Sequence, residues 1–293
     1  MKTILLPTNF SKASQKALEF AIMIAQKADA KIIVAHAYTL TSINAEPIPV
    51  VFENVLEETQ EYLKSQLDSI CGYISSFKTD SGKTINTQYI IQYNIPEQEI
   101  KELATRHQVD LIVMGTNNPE GLQGLVGSTI QNMIENTNVP ILVIHEDTPV
   151  KLFNKIDFAI EKVSEKISYV KNIINLASIF KSEITLLHVE QYARSFQEYE
   201  KNTESSTASI ILNSVKKITS YDQIKYKTTL SDIVEEGLHK GLMEDNSDLL
   251  VLIYNERNWL DALFHKSVIK SVLKKFSLPV LILHSNKSQV NIS

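Results

Sequence analysis

The sequence is poor in cysteine and glycine and has no long apolar run, and these shortages exclude several classes of protein. A single cysteine, Cys71, rules out an internal disulfide and indicates a reducing compartment. No apolar run approaches the roughly 20 residues of a membrane helix, and the run after Met1 is too short for a signal peptide. The net charge of −5 gives no electrostatic case for nucleic acid or an anionic membrane. We therefore expect a cytoplasmic protein with no nucleic-acid and no membrane partner.

Glycine is scarce, yet half of it is concentrated in one short stretch. Four of the eight glycines lie from Gly115 to Gly127, after the apolar run 110–114 and before a helical pattern that begins near Ser128 and Thr129. Glycine permits positive φ and a close approach of backbone or ligand. A strand that leads through such a loop into a helix can bring N–H groups to a phosphate. This stretch is therefore the first candidate for a binding site.

The chain repeats one pattern of strands and helices. Each half begins with an apolar run, a helix and a second run, and the second runs start at Lys31 and Glu183. Each half ends with an aspartate, an apolar run, a helix, a proline and a last run that closes at His145 or His284. Within a half the predicted order is β, α, β, long helix, β, α, β, α, β. Continuous apolar runs that alternate with helices indicate a doubly wound parallel sheet.

Local chemistry marks two helix starts and one boundary. Pro96, followed by Glu97 and Glu99, suits the first turn of a helix, because proline and acidic residues are favourable there. Ser231 and Asp232 suit the cap of the equivalent helix in the second half. The connection 146–151 contains a proline and is the predicted boundary between the halves.

Repeat symmetry accounts for several residues that resemble site residues. There is no H-E-x-x-H, C-x-x-C, G-x-S-x-G or G-x4-G-K-[ST] motif. Some histidines and aspartates instead recur at equivalent positions of the two halves, namely His36 with His188, His145 with His284, and Asp110 with Asp248. We interpret these histidines as scaffold residues rather than metal ligands, and the aspartates as hydrogen-bond partners of loop backbone.

Several motifs of the first half resemble the universal stress protein (UspA-like) family. Residues 4–11 are similar to that family's first strand and turn, and residues 33–37 to its second strand. Met114, Gly115 and Thr116, with Gly127, Ser128 and the run 138–143, resemble its C-terminal signature. The second half matches in pattern but little in motif. The resemblance implies two tandem flavodoxin-like or Rossmann-like α/β domains, 1–147 and 152–285, with a tail at 286–293. Each domain would be a five-stranded parallel sheet with helices on both faces.

The resemblance also implies a nucleotide site in the first domain. ATP-binding members of the family use a loop G-x2-G-x9-G-[ST], which would place Gly115, Asn118 and Gly127 at the three glycine positions. The N–H groups of Ser128 and Thr129 would meet phosphate oxygens, and the first turn with Ala37 would line the adenine and ribose pocket. The implied site is Pro7, Thr8, Asn9, Ala37, Met114, Gly115, Asn118, Gly127, Ser128 and Thr129. The cofactor expected is ATP, ADP or AMP, with a requirement for Mg²⁺ left open.

The sequence departs from the family pattern in ways that bear on the ligand. Asn118 replaces the second glycine, Asn9 replaces an aspartate, and the loop is one residue shorter than the pattern. From Gly115 to Glu135 there is no lysine or arginine, so phosphates would depend on N–H groups, hydroxyls and the helix dipole. A mononucleotide is therefore easier to accommodate than ATP unless Mg²⁺ helps.

The second half has lost the glycines that define the loop. Ile253 stands at the position of Gly115, Glu256 at that of Asn118 and Lys266 at that of Gly127. Side chains at these positions would occupy the space that a phosphate needs. We interpret this half as a structural or regulatory copy without a nucleotide site of the family type.

Four functions stay open at this point. The leading hypothesis is a tandem, non-catalytic stress-response module that binds an adenine nucleotide in its N-terminal domain. The alternatives are a nucleotide-free scaffold with both sites degenerate, a slow ATP hydrolase, and an unrelated α/β enzyme. The family resemblance implies that the two halves pair through edge strands, and it leaves a homodimer and an unknown protein partner open.

Overall fold

The computed structural model describes residues 1–38, 49–93, 96–117, 128–160, 167–190, 204–254 and 266–284. The strands of the first half are β1 (Thr3–Pro7), β2 (Lys31–Tyr38), β3 (Thr87–Tyr93), β4 (Leu111–Thr116) and β5 (Ile141–His145). Its helices are α1 (Lys12–Ala28), α2 (Pro49–Ser75), α3 (Pro96–Arg106) and α4 (Ser128–Asn136). The strands of the second half are β6 (Lys155–Ile160), β7 (Glu183–Glu190), β8 (Ile224–Leu230), β9 (Leu249–Tyr254) and β10 (Val280–His284). Its helices within the described residues are α5 (Ile167–Phe180), α6 (Glu204–Lys216), α7 (Val234–Asp245) and α8 (Lys266–Lys275).

The strands form one ten-stranded sheet in the order β3-β2-β1-β4-β5-β10-β9-β6-β7-β8. Each half contributes five parallel strands, which confirms the predicted fold class. The halves meet where β5 and β10 pair antiparallel, with Leu142 opposite Leu281. This pairing covers an apolar edge strand of each half, which would otherwise expose unpaired backbone groups.

Two apolar cores lie on opposite faces of the sheet, and each continues across both halves. One core packs under α1, α2, α5 and α6, and the other under α3, α4, α7 and α8. At the junction, Phe153 of the connecting segment is 0% exposed and lies 6.0 Å from the ring of Phe20 and 5.1 Å from that of Phe180. The connecting segment therefore contributes a core residue of its own.

The predicted cap of α7 is wrong. The N-cap residue is Ile233, which makes no side-chain cap hydrogen bond. The Ser231 hydroxyl instead accepts from the Ile233 N–H at 3.2 Å and donates to the Ile233 carbonyl at 2.9 Å. Serine can bond nearby backbone in a local turn as readily as it caps a helix, and here the turn prevails.

The equivalent aspartates have the predicted backbone role. Asp110 Oδ2 accepts from the N–H of Lys2 at 2.6 Å and from that of Thr3 at 2.9 Å. Asp248 Oδ2 accepts from the N–H of Lys155 at 2.9 Å. Each carboxylate thus ties the start of the first strand of its half to the start of a neighbouring strand.

Three of the four paired histidines bond backbone carbonyls. His36 Nδ1 donates to the carbonyl of Thr8 at 2.8 Å, and the equivalent ring of His188 bonds the carbonyl of Ile160 at 3.1 Å. His284 Nε2 reaches across the junction to the carbonyl of Ile134 in α4 at 2.8 Å. The bonds repeat between the halves, which fits an inherited structural role.

The described helices include none with both the length and the apolar character needed to cross a membrane.

Candidate functional site

A cavity of about 350 Å³ opens at the carboxyl ends of β1, β2 and β4. The chain runs in opposite directions across the sheet from β1, to β2 on one side and to β4 on the other, so the cavity lies at the topological switch point. Ligands of open α/β sheets bind in this position. The N-termini of α1, α3 and α4 border the cavity and direct backbone N–H groups and the positive ends of helix dipoles towards it.

Most of the residues predicted for the site line this cavity. They are Pro7, Thr8, Asn9, Ala37, Met114, Gly115 and Thr129. Ser128 is the first residue of α4 and is exposed, and it is not part of the lining. Asn118 and Gly127 lie outside the described residues, so their predicted role stays a prediction.

The turn between β1 and α1 is held by its own side chains. Asn9 Oδ1 accepts from the Ser11 hydroxyl at 2.6 Å and from the Ser11 N–H at 3.2 Å. Thr8 Oγ1 accepts from the Phe10 N–H at 3.1 Å and donates to the Ser14 hydroxyl at 3.2 Å. An amide oxygen has two lone pairs, so Asn9 already uses its acceptor capacity within the turn. The family resemblance implies that this turn lines the adenine and ribose pocket.

The same turn contains a strained backbone position. Phe10 has a φ of 61°, in the left-handed region, which is a genuine outlier for a bulky residue. Its ring lies 4.7 Å from the ring of His36, which bonds the carbonyl of Thr8. The packing and this hydrogen bond together hold the strained residue in place beside the cavity.

Gly115 has a packing role that the sequence did not reveal. A Cβ atom at this position would lie 2.0 Å from the carbonyl oxygen of Ala13 and 2.8 Å from the nitrogen of Ser14. The absence of a side chain therefore lets the start of α1 press directly onto β4. Because Ala13 and Ser14 also line the cavity, this contact sets the position of one cavity wall.

The first turns of α3 and α4 form the opposite wall. The Thr129 hydroxyl donates to Glu97 Oε1 at 3.0 Å and links the two helix starts. Glu99, from the same turn of α3, lines the cavity and is 4% exposed. It is the one ionisable side chain among the described lining residues, so this part of the cavity has an acidic group and no basic one.

Glu99 is the main residue that sequence reasoning missed at this site. The sequence placed it at the start of a helix but assigned it only an electrostatic role there. A signal was available, because the buried face of α3 includes Glu99, Ile100, Leu103 and Ala104 at helical spacing. An acidic residue within an apolar stripe marks an enclosed polar position.

The corresponding place in the second half is filled. Leu187 and Val189 of β7 stand where Ala35 and Ala37 stand in β2, and both are buried. Ile160, buried at 6% exposure, replaces Thr8. These larger apolar side chains occupy the space that the alanines leave open.

Helix α7 packs against those larger side chains at two glycines. A Cβ atom at Gly237 would lie 2.4 Å from Val189 Cγ1, and one at Gly241 would lie 2.7 Å from Leu187 Cδ1. The helix therefore packs directly on the strand, whereas in the first half the cavity lies beside α3. The loop of the second half lies outside the described residues, so the expectation that this half lacks a family-type site stays a prediction.

No group of three or more histidine, cysteine, aspartate or glutamate side chains is arranged for a metal ion in the part of the chain that the structure describes.

The fold and the site define a class: an α/β protein with a small-molecule cavity at the switch point of a 3-2-1-4-5 sheet. A family model for the universal stress protein family matches residues 1–145. The chain is 31% identical over 145 residues to universal stress protein MJ0531 of Methanocaldococcus jannaschii, which covers 49% of this chain and 81% of that protein. It is 28% identical over 152 residues to MJ0577 of the same organism, covering 49% and 94%. The chain belongs to the universal stress protein family.

A solved structure shares the fold over both halves. It is a universal stress protein from Archaeoglobus fulgidus DSM 4304, 15% identical, with a TM-score of 0.71 over 97% of this chain and 98% of that chain. At this identity the likeness concerns the fold, and it extends the family architecture to the second half.

Proposed function

We propose that this chain is a non-catalytic, cytoplasmic stress-response module whose N-terminal half binds an adenine nucleotide. The observation that supports the proposal is the contrast between the halves. The cavity at the switch point is open in the first half, whereas larger apolar side chains and α7 fill the same place in the second. Retention of an open, polar cavity in one of two copies of the same scaffold favours a ligand there.

The volume and charge of the cavity favour a ligand with few phosphates. A volume of about 350 Å³ is near the lower end of the range for small-molecule sites. The starts of α3 and α4 offer N–H groups to one phosphate group, but no lysine or arginine follows in residues 115–135 to neutralise more. AMP or ADP is therefore preferred in this proposal, and ATP would need Mg²⁺.

We also propose that the chain consists of two domains and a tail. The domains are 1–147 and 152–285, followed by a tail at 286–293. The homodimer and an unidentified protein partner stay predictions.

The test is calorimetric titration of nucleotide-stripped protein with ATP, ADP and AMP, with and without Mg²⁺. The decisive variant is Ala37→Val, which places in the first half the residue that the second half has at Val189. We expect one site per chain in the wild type and loss of binding in Ala37→Val. The matched control, Val189→Ala, should leave affinity and stoichiometry unchanged.

Other outcomes would point to the alternatives. No heat at millimolar nucleotide, with folded protein, would favour the nucleotide-free scaffold. Release of phosphate from ATP in the same samples, abolished by Ala37→Val, would favour a slow hydrolase, which requires a metal and a positioned water. Binding that survives Ala37→Val but disappears in Val189→Ala would move the site to the second half and contradict the proposal.

A further inference from the structure

Glu99 lies in an unusual place for a carboxylate. It is 4% exposed, it lines the cavity, and it belongs to the buried face of α3 with Ile100 and Leu103. Burial of a carboxylate costs free energy, so buried glutamates are uncommon and are normally paired with hydrogen-bond donors or cations. An ionised carboxylate offers about four lone-pair sites and can accept from more than one donor.

The repeat shows which part of the cavity Glu99 faces. Helices α3 and α7 are each followed within two residues by a left-handed residue, Gln108 with φ 48° and Asn246 with φ 51°, and the two segments align without a gap from the helix starts to these residues. In this alignment Gly237 stands at the position of Glu99. A Cβ atom at Gly237 would lie against Val189, so the repeat places the Cβ of Glu99 on the side of Ala37, the equivalent residue of β2, and both residues line the cavity.

That part of the cavity is where the family resemblance places adenine and ribose. The family's acidic residue in the first turn is Asn9 here, and both lone pairs of its side-chain oxygen accept from Ser11. The acceptor expected from the turn is therefore neutral and already engaged. Glu99 brings a carboxylate to the same space from the opposite wall.

An ionised Glu99 would oppose phosphates in the same cavity. The described lining contains no lysine, arginine or histidine. The described cavity thus offers donors at the helix starts and one anion at the α3 wall. A ribose diol, as a neutral donor, suits a carboxylate, as in the dinucleotide-binding folds where an acidic residue bonds a ribose hydroxyl.

We propose that Glu99 is a specificity-determining residue that accepts hydrogen bonds from the ribose hydroxyls, so that the site selects a ribonucleotide with few phosphate charges. This inference rests on the proposed nucleotide site and names how that site recognises its ligand. The second half, with glycine at the same position, has lost both the carboxylate and the space.

The test compares AMP with 2′,3′-dideoxyadenosine monophosphate by calorimetry on the full chain. Both carry the same base and phosphate, so the ratio of their dissociation constants reports the hydroxyls alone. The wild type should bind AMP about tenfold or more tightly than the dideoxy analogue, the usual effect of hydrogen bonds to a charged acceptor. In Glu99→Gln the ratio should fall to about threefold or less, and ATP should bind better relative to AMP.

The matched control is Glu97→Gln, which removes the same charge from the same turn at a residue that bonds Thr129 instead. It should keep the wild-type ratio, and circular dichroism should show both variants folded. Equal binding of AMP and its dideoxy analogue by the wild type, or an unchanged ratio in Glu99→Gln, would overturn the inference and leave the nucleotide site standing. Absence of binding of AMP, ADP and ATP to the wild type would overturn both.

Discussion

Replacing Asp157 with leucine should stabilise this protein, and the gain should increase with pH. Asp157 lies in β6, is 0% exposed, and neither carboxylate oxygen makes a hydrogen bond of normal geometry among the described residues. Burial raises its pKa to about 7 from an ordinary 3.8, and the nearby Ser247 hydroxyl offsets only part of that rise. The equivalent residue of the first half is Leu5, also 0% exposed, so the repeat itself contains the apolar alternative.

The size and sign of the effect follow from the raised pKa. Because the folded-state pKa of Asp157 is raised, the folded protein holds a proton that the unfolded chain releases above the ordinary pKa of 3.8. The contribution of Asp157 to the stability of the folded protein is therefore most favourable below pH 3.8. It is lost as the pH rises through about 7. Ionising Asp157 in the folded protein costs roughly 4 kcal/mol of folding stability, because each unit of difference between the folded and unfolded pKa is worth about 1.4 kcal/mol.

Urea denaturation at pH 5 and pH 8 measures this directly. The difference in unfolding free energy between Asp157→Leu and the wild type should grow by about 2–3 kcal/mol between those pH values. All other titrating groups are present in both proteins, so their contributions largely cancel. Asp157→Asn, which keeps the shape and a buried polar group, should show the same pH dependence with a smaller gain. An equal difference in unfolding free energy at both pH values, or an Asp157→Leu variant less stable than the wild type, would contradict this prediction.

Two further substitutions test the packing and the junction. Gly115→Ala should destabilise the fold by about 1–3 kcal/mol in the same urea assay, because the new Cβ would overlap the backbone of α1 at Ala13. The control is Gly72→Ala, which should be neutral or stabilising because a Cβ at Gly72 would have no atom within 4 Å. Burial lowers the pKa of His145 below 6.5, so the wild type should lose stability relative to His145→Gln as the pH falls below that value, measured by thermal denaturation. A pH-independent difference would contradict the second expectation.

The sequence predicted the fold well because the signals that define it are local or repeated. Apolar runs that alternate with helical patterns indicated the strands, and Pro96 marked the start of α3. Strand ends were placed less well: the apolar run suggested that β4 stops at Met114, but Gly115 and Thr116 continue the pairing with β5. Backbone pairing extends past the last apolar side chain, and a pattern of side chains does not record it.

The candidate site was only partly predictable, because its shape depends on contacts between distant segments. The turn residues and Gly115 were recognised by their resemblance to a motif. The steric reason for Gly115 requires the backbone of Ala13, which lies far away in the sequence. The cavity brings together Ala37 of β2 and Glu99 of α3, which lie far apart in the sequence, and the pattern of either segment alone does not show that they share one cavity.

The two halves show how one scaffold can lose a cavity and keep its fold. In the first half a small strand residue, Ala35, belongs to the same core as Leu103 of α3; in the second, Leu187 of β7 packs against the bare backbone of Gly241. The larger side chain is on the helix in the first half and on the strand in the second, and such volume-conserving exchanges are tolerated best in a packed core. The histidine bonds to the strand ends repeat in both halves, so the framework did not change with the cavity. Because a merely structural role is met equally well by either arrangement, the open cavity beside Glu99 is the feature on which the proposed ligand binding depends.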